Sequence, residues 1–319
     1  MKLSYDTGEF AKKLNLFGKN RIPFGFIISF DKTSYDIFEL SKQPINIKYK
    51  LTNQNYLKHN TILKYEKFSF AKYTKMFNKV QTNVASGNTY LLNLTATTPL
   101  KIKISLDEIY NLSNSSFKLL YKDKFVCFSP EKFIEIKNNE IYTYPMKGTI
   151  DYKIKNAKQK LIDSKKELAE HTMVVDLLRN DISKVASKTK VEKFRYINKI
   201  TTKNKTILQT SSLIKGYLGA NWQNNIGYIV DSLLPAGSIT GTPKIETTKL
   251  IKNIECRNRT YYTGVFGIYD GINFKSYVLI RYIKRDNSGS LFYESGGGIT
   301  SDSKISNEYK ELNDKIYLP

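Results

Sequence analysis

Four glutamates and two further side chains have types and spacings suited to chemistry. Lys147 lies in YPMKGTI, between a Pro-Met pair and a Gly-Thr turn. Pro145 stiffens the approach, and Gly148 lets the backbone come close to a neighbour. Glu131 lies earlier, in FSPEKFIEI, in a turn between strands, and a hairpin would bring it towards Lys147. A carboxyl beside a lysine serves as an acid with a nucleophile or base, and equally as a plain salt bridge. Spacing alone favours the salt bridge. Glu167 and Glu170 stand three apart in KKELAEH, and Glu308 and Glu311 do so in NEYKEL, so each pair shares one helix face. Two such helices facing each other would hold a hard divalent ion. Mg²⁺ suits, since it takes few protein ligands and leaves room for water and an anionic substrate. The alternative is two solvated faces paired with nearby lysines.

Two glycine stretches, GSITG and ESGGGIT, read as tight turns or as unhindered backbone N–H groups that hold a carboxylate or phosphate. Arg281 sits in VLIRYIK among residues expected to be buried, where it needs a structural carboxylate or an anionic ligand. Other chemistries are excluded. AGSITGTPK is one residue short of a P-loop and carries Pro243 inside it. His59 and His171 are the only histidines, which removes a histidine-rich metal site, and neither accompanies a nucleophile elbow. Cys127 and Cys256 are too few for a disulfide framework or a cysteine zinc site.

The elements that must hold these residues follow from periodicity. Tyr73 to Gly87 has Met76, Phe77, Val80 and Val84 at helical spacing and ends at a glycine cap. NTYLLNLTATTPL, KFVCFS, KFIEIK and EIYTYP read as strands, the last two joined by an Asn138-Asn139 turn. Residues 156–186 carry the longest helical pattern, with an apolar stripe of Leu161, Leu168, Met173, Val174, Leu177, Leu178, Ile182 and Val185. A helix follows Pro243. The strands YYTGVFGIY and FKSYVLIRYIK are joined at Asp270-Gly271, and SLFYES follows. A last helix, SNEYKELNDKIY, is capped by Ser306. FGFIISF reads as a buried strand, and no apolar run reaches membrane-spanning length. Strands at both ends with long helices between them indicate one interlocked α+β domain.

The net charge of +22 invites a nucleic-acid reading. Only seven of the 51 basic residues are arginine, the side chain that reads phosphates and base edges bidentately, and the lysines are scattered. Neither nucleic acid nor membrane is an expected partner. MKLSYDTGEFAKKL lacks the apolar core of a signal peptide, so a cytoplasmic location is expected.

Taken in order, GNTYLLNLT, FSPEKF, YPMKGTI, ELAEHTMVVDLLRNDISKVA, LLPAGSITGTPK, YYTGVFG and ESGGGITSDSKISNEYKEL resemble the chorismate-utilising enzymes. That family includes anthranilate synthase component I, aminodeoxychorismate synthase component I, and the isochorismate and salicylate synthases. The resemblance implies the family's α+β fold, with largely antiparallel sheets packed with helices in a single chorismate-binding domain, 1–319. Residues 1–72 would be its short N-terminal portion and 73–319 its motif-bearing portion. Lysine at 147 resembles the aminodeoxychorismate branch, where anthranilate synthases usually carry alanine.

By that resemblance Mg²⁺ anchors the ring carboxylate of chorismate, with Glu170 and Glu311 as direct ligands beside Glu167 and Glu308. Lys147 attacks ring C2 as the neutral amine, and Glu131 protonates the departing C4 hydroxyl. Ammonia then adds at C4 and expels the lysine. Tyr262 and Arg281 meet the enolpyruvyl carboxylate with the backbone of Gly297 and Gly298. Lys315 lies near a substrate carboxylate, and Thr149 and Thr240 are hydrogen-bonding partners. Asn180 and Asp181 brace a helix end.

Two departures stand out. Gln209, in ILQTSS, occupies a position where many relatives carry histidine, and glutamine cannot exchange a proton near neutral pH. That fits an enzyme which stops before pyruvate elimination. The segment that binds tryptophan in longer relatives has no counterpart. Neither cysteine fits a glutaminase nucleophile, so a glutamine amidotransferase subunit, component II, is the implied source of ammonia. Other readings are an anthranilate or isochorismate synthase, or a non-catalytic lysine-rich nucleic-acid-binding module.

Overall fold

The apolar run at Phe24 and the Thr- and Leu-rich run at Leu91 each become part of a large sheet. The computed structural model describes residues 7–52, 63–201 and 206–319, and His59 lies outside them. The chain begins with helix α1 (Thr7–Lys19), strands β1 (Phe24–Ile28), β2 (Tyr35–Glu39) and β3 (Ile47–Leu51), helix α2 (Phe70–Ala85), strand β4 (Leu91–Pro99) and helix α3 (Leu106–Leu112). Strands β5 (Phe117–Tyr121), β6 (Phe125–Cys127), β7 (Lys132–Lys137), β8 (Glu140–Thr143) and β9 (Met146–Asp151) come next. Helices α4 (Ala157–Asp163) and α5 (Lys165–Ser183) lead to β10 (Ser187–Thr201), β11 (Thr206–Tyr217), α6 (Ile226–Leu233), β12 (Gly241–Thr242) and α7 (Lys244–Glu255). The chain ends with β13 (Val265–Tyr269), β14 (Phe274–Val278), β15 (Tyr282–Arg285), β16 (Leu291–Ile299) and α8 (Ile305–Asp314).

A nine-stranded sheet has the order β10-β11-β8-β7-β14-β13-β1-β2, with β9 also paired to β11. A seven-stranded sheet has the order β12-β4-β16-β15-β6-β5-β3. The pairs of both sheets whose register is described run antiparallel, including β1 with β13, β9 with β11 and β16 with β4. The α+β architecture expected from the sequence is the one the chain forms.

The described residues group into two compact units, each assembled from three stretches of chain. Unit 1 takes the chain up to Lys42, Lys132–Ser238 and Val265–Tyr277. Unit 2 takes Gln43–Glu131, Ile239–Gly264 and Val278–Pro319. The sequence reads as one interlocked domain with 1–72 as its short N-terminal portion; the unit boundary at Lys42 and Gln43 falls inside that portion. Antiparallel sheets recruit strands far apart in sequence, so unit boundaries do not follow composition.

In unit 1, every residue of β1 is buried, as FGFIISF predicts. Helix α1 lies outside the sequence expectations. Its Phe10 and Leu14 stand four apart and are buried, with Phe10 edge-on to Phe26 at 5.3 Å. Burying side chains of this size contributes about 1.5–3 kcal/mol each. Lys132–Thr143 forms the expected hairpin, and Asn138 and Asn139 supply its turn with φ of 52° and 62°. The long helical pattern divides at Ser164, whose hydroxyl accepts from the Glu167 amide at 3.3 Å and so starts α5. Capping chemistry here overrides periodicity. Leu168 of the expected stripe is exposed, and Val185 falls beyond the helix.

In unit 2, α2 ends as expected, with Ser86 as its cap and Gly87 following. Leu106, Ile109, Leu120, Val126, Phe128 and Ile283 form the centre of a hydrophobic core. The stretch FKSYVLIRYIK, expected as one strand, is two: β14 belongs to the nine-stranded sheet and β15 to the seven-stranded one. Ser306 is inside α8 rather than capping it, and Lys304 takes the cap position without a side-chain bond.

Candidate active site

The site residues expected from sequence fall into two groups, one in each unit. In unit 1, β9 pairs with β11 so that Thr149 stands opposite Gln209 and Lys147 opposite Thr210. Gly148 is therefore the extra residue of a bulge. Its φ of 72° is left-handed, a conformation glycine adopts without the steric cost that a Cβ brings. Helix α5 comes down on this bulge. A Cβ added to Gly148 would stand 2.7 Å from Glu167 Oε2 and 3.3 Å from Leu161.

One turn further along α5, Glu170 Oε2 lies 3.8 Å from Lys147 Nζ, and Glu170 Oε1 lies 3.6 Å from Lys166 Nζ. The Lys147 side chain is 25% exposed and that of Glu170 15% exposed. Lys147 is thus a half-buried amine beside a carboxylate rather than a solvated surface lysine. The Thr210 hydroxyl donates to the Lys147 carbonyl. Thr149 is exposed, next to half-buried Gln209.

Next to Glu170 on α5, His171 is fully buried, with Nε2 2.6 Å from the Ser212 hydroxyl and the ring edge-on to Phe194. Burial, then the Arg195 and Lys147 charges, push this imidazole down to about 4. It is a neutral core histidine. At the far end of α5, Asp181 is buried and pairs with Lys184 at 2.7 Å, as a brace does, while Asn180 donates to Asp176 at 3.2 Å.

In unit 2, the glycine run expected to be a turn is regular strand. Gly296, Gly297 and Gly298 of β16 stand opposite Thr95, Leu94 and Asn93 of β4, whose ladder supplies partners a turn would not. On its other edge β16 pairs with β15 only as far as Glu294. Helix α8 lies over the run. The point a Gly297 Cβ would occupy is 3.6 Å from Glu308 Oε2 and 3.5 Å from Glu311 Oε1. Glu308 is buried and accepts from Ser303 at 2.9 Å. Lys315 bridges Glu311 at 2.6 Å and donates to the Gly296 carbonyl at 2.6 Å. Burial, then the charges of Glu308 and Glu311, raise the buried Tyr73 phenol well above its usual range.

Arg281 occupies the break between β14 and β15 with φ 52°, not a strand interior. Its Nε donates to the Tyr317 hydroxyl at 3.2 Å, and its guanidinium lies 5.4 Å from that ring. Burial opposes its charge, but Tyr317 and Tyr293 outweigh that and hold it cationic. Among the described residues Arg281 makes no ion pair, so the structural carboxylate allowed by the sequence is absent there. Tyr262 is buried, with its ring 5.6 Å from that of Tyr282, and burial raises its phenol. Thr240 is fully buried and its carbonyl accepts from the Asn93 amide. Glu131 belongs to this unit, and its amide donates to Ser129 at 3.1 Å. Lys147 is assigned to unit 1, where its ion-pair partner is Glu170.

Sequence reasoning passed over a buried ionic network. Glu255 accepts from the Thr95 amide and hydroxyl and from Arg259, which reaches on to the carbonyls of Asn93 and Ile239. Arg257 bridges to the buried Glu294 at 3.0 Å, and Lys284 does so at 2.6 Å. The signal was the spacing Glu255, Arg257, Arg259 in ECRNRT, straight after a helix. These residues fasten α7 to β4.

Glu167, Glu170, Glu308 and Glu311 offer only oxygen donors, the set a hard divalent ion such as Mg²⁺ prefers. Glu308 and Glu311 both approach Gly297, which has no side chain to stand between them and the strand. Among the described residues no three His, Cys, Asp or Glu side chains already form a metal cluster, and no helix is long and apolar enough to cross a membrane.

Comparison with known proteins identifies the family and the fold. The model of a family described as chorismate binding enzyme matches residues 36–318. An uncharacterized PabA-like protein of Pasteurella multocida is 43% identical over 318 residues, which cover 97% of this chain and 98% of that protein. Aminodeoxychorismate synthase component 1 of Escherichia coli is 30% identical over 260 residues, 77% of this chain and 56% of the relative, so this chain spans about half of that one. The menaquinone-specific isochorismate synthase of Escherichia coli has a TM-score of 0.73 at 14% identity, covering 97% of this chain and 80% of that one. Anthranilate synthase component I of Streptococcus pneumoniae has a TM-score of 0.71 at 19% identity, covering 95% and 84%. At these identities the structural likeness is one of fold.

Proposed function

We propose, since this chain belongs to the chorismate-binding enzyme family, that it aminates chorismate to 4-amino-4-deoxychorismate, a step towards para-aminobenzoate and folate in the cytoplasm. The carrying observation is Lys147 itself, a half-buried amine on a bulged strand with Glu170 3.8 Å away. Glu170 is placed to accept the proton that the ammonium must lose before the amine can attack.

In this reading the Lys147 amine forms a bond to ring C2. The two conjugated ring double bonds shift, and the C4–O bond breaks as Glu131 gives its proton to the departing hydroxyl, which leaves as water. Ammonia then bonds to C4, both double bonds return, and the C2–N bond to Lys147 breaks. Proton transfer from ammonia restores the acid and the amine. The detour through C2 has a physical reason: lysine bound there, and released from there, directs nitrogen to C4.

Arg281, a cation without an ion-pair partner among the described residues, and Tyr262 suit the enolpyruvyl carboxylate, with the backbone of Gly297 and Gly298. Lys315 suits a second carboxylate, and Thr149 and Thr240 serve as hydrogen-bonding groups. Mg²⁺, held through Glu170 and Glu311 with Glu167 and Glu308 beside them, would supply positive charge for the ring carboxylate. The ammonia is assigned to a separate glutamine amidotransferase subunit. Cys127 is buried with its thiol raised by that burial, which unsuits it as a hydrolase nucleophile.

The test is to incubate the chain with chorismate, Mg²⁺ and ammonium and to identify the product by mass spectrometry. 4-Amino-4-deoxychorismate is expected, with turnover lower by on the order of 10³-fold or more in Lys147→Ala. Anthranilate or isochorismate as the product would remove the role given to Lys147. Absence of turnover even with an amidotransferase partner, together with salt-sensitive nucleic-acid binding, would favour a binding module instead.

A further inference from the structure

We infer that Thr210 is a positioning residue for Lys147, an inference that rests on the nucleophilic reading of that lysine. Thr210 is fully buried on β11, opposite Lys147 in the register, at the point where the β9 bulge begins. Its hydroxyl donates to the Lys147 carbonyl. That carbonyl belongs to the peptide joining Lys147 to Gly148, the softest link on β9. Glycine admits both positive and negative φ at little cost, so a free peptide here would rotate and swing the Cα–Cβ bond of Lys147 with it. The hydroxyl holds that peptide in one orientation, with Gly148 at φ 72°.

The neighbouring anchors on β9 stand on either side of this bond, and α5 packs over Gly148. Pro145, two residues before Lys147, is held by its carbonyl accepting from the Ser212 amide at 2.9 Å, and Thr149, two residues after it, by the return to register with Gln209. The Lys147–Gly148 peptide lies between these two anchors. At 3.8 Å, the contact with Glu170 is too long for a good hydrogen bond. The direction in which the Lys147 side chain leaves β9 is set by the backbone, and the Thr210 hydroxyl bonds that backbone at Lys147 itself. A displacement of about 1 Å in a reacting group costs on the order of 10²-fold in rate, so the effect should reach turnover more than binding.

Thr210→Val keeps the shape and the β-branching and removes the hydroxyl. Thr210→Ser keeps the hydroxyl and removes a methyl. For Thr210→Val the expected result is a kcat for chorismate amination lower by on the order of tenfold or more, with KM for chorismate within about twofold. Thr210→Ser should recover most of the loss. In parallel, the rate at which trinitrobenzenesulfonate labels Lys147, measured by peptide mass spectrometry, should change in Thr210→Val and return in Thr210→Ser. Wild-type kcat and labelling in Thr210→Val would overturn the inference. Equal damage in both variants would also overturn it, since packing rather than the hydroxyl would then be responsible. Absence of chorismate turnover in the wild type would sink the nucleophilic reading, while the labelling contrast would still decide whether Thr210 orients Lys147.

Discussion

The two glutamate pairs are the same device on different supports. Each is Glu-x-x-Glu on a helix laid over a strand that carries glycine, and each brings a carboxylate to a point where no side chain stands. In unit 1 the strand is bulged, Gly148 is left-handed, and Glu167 presses within 2.7 Å of where a Cβ would be. The other carboxylate, Glu170, is shared between Lys147 and Lys166. In unit 2 the strand is regular, both carboxylates hang at ordinary contact distance over Gly297, and Ser303 and Lys315 hold them from the sides. The difference teaches that a bulge does two things a regular strand does not. It re-aims the lysine next to the glycine, and it lets the helix bring a carboxylate into the space a Cβ would take.

The comparison breaks most readily at its glycines. Gly148→Ala should destabilise the protein by about 2–3 kcal/mol through its left-handed φ and the displaced Glu167. It should also lower chorismate turnover on the order of 10²-fold, by moving Lys147. Gly297→Ala meets nothing closer than 3.5 Å and sits in a regular strand, so its stability should change by less than about 1 kcal/mol. Thermal melts and product assays on the two variants check both halves. Equal losses of stability would erase the distinction between bulged and regular support.

A second difference is the neutral imidazole next to Glu170 on α5. His171 titrates near 4 when folded and near 6.5 when unfolded. The unfolded chain therefore binds more protons between those values. The stability that His171 contributes is full above about pH 6.5 and is lost as pH falls towards 4, by about 2 kcal/mol at pH 5. Urea melts of the wild type and of His171→Leu at pH 7.5 and pH 5 should show the wild type losing that much more. Parallel losses would place the acid sensitivity elsewhere.

The smallest expected effect sharpens the unit 2 side. Ser303→Ala removes the hydroxyl that donates to buried Glu308, and should cost about 1–2 kcal/mol. If Mg²⁺ sits on this pair, saturating Mg²⁺ should recover part of that loss in melts. No difference with and without Mg²⁺ would count against Glu308 as a ligand.

Much of the scaffold was legible. Asn138-Asn139 announced its hairpin because few other residues take positive φ twice in succession. The helix after Pro243 and the burial of FGFIISF followed from local propensity and apolar content. The legibility failed where a distant partner overruled local pattern. Ser164 cut the long helix because its hydroxyl found the Glu167 amide. ESGGGIT became strand because β4 lay alongside it, and FKSYVLIRYIK broke because its halves belong to different sheets. Of the site, the glutamate pairs and Lys147 were visible as residue types at suitable spacing. Arg281 was visible only as a cation in need of company, and its companion is a tyrosine hydroxyl 36 residues away. Thr210 and the network of Glu255, Arg257 and Arg259 gave no signal that could be read without knowing which strands pair.

By itself the sequence determined the chemistry on offer: which side chains exist, which pairs share a helix face, and which family the motifs resemble. These depend on residue type and on short, fixed repeats of 3.6 or 2 residues. Only the tertiary structure decided where the bulge falls, which carboxylate lies over its glycine, and which amine is half-buried. Those depend on strand register, and register is a contest among many pairings that no single segment settles.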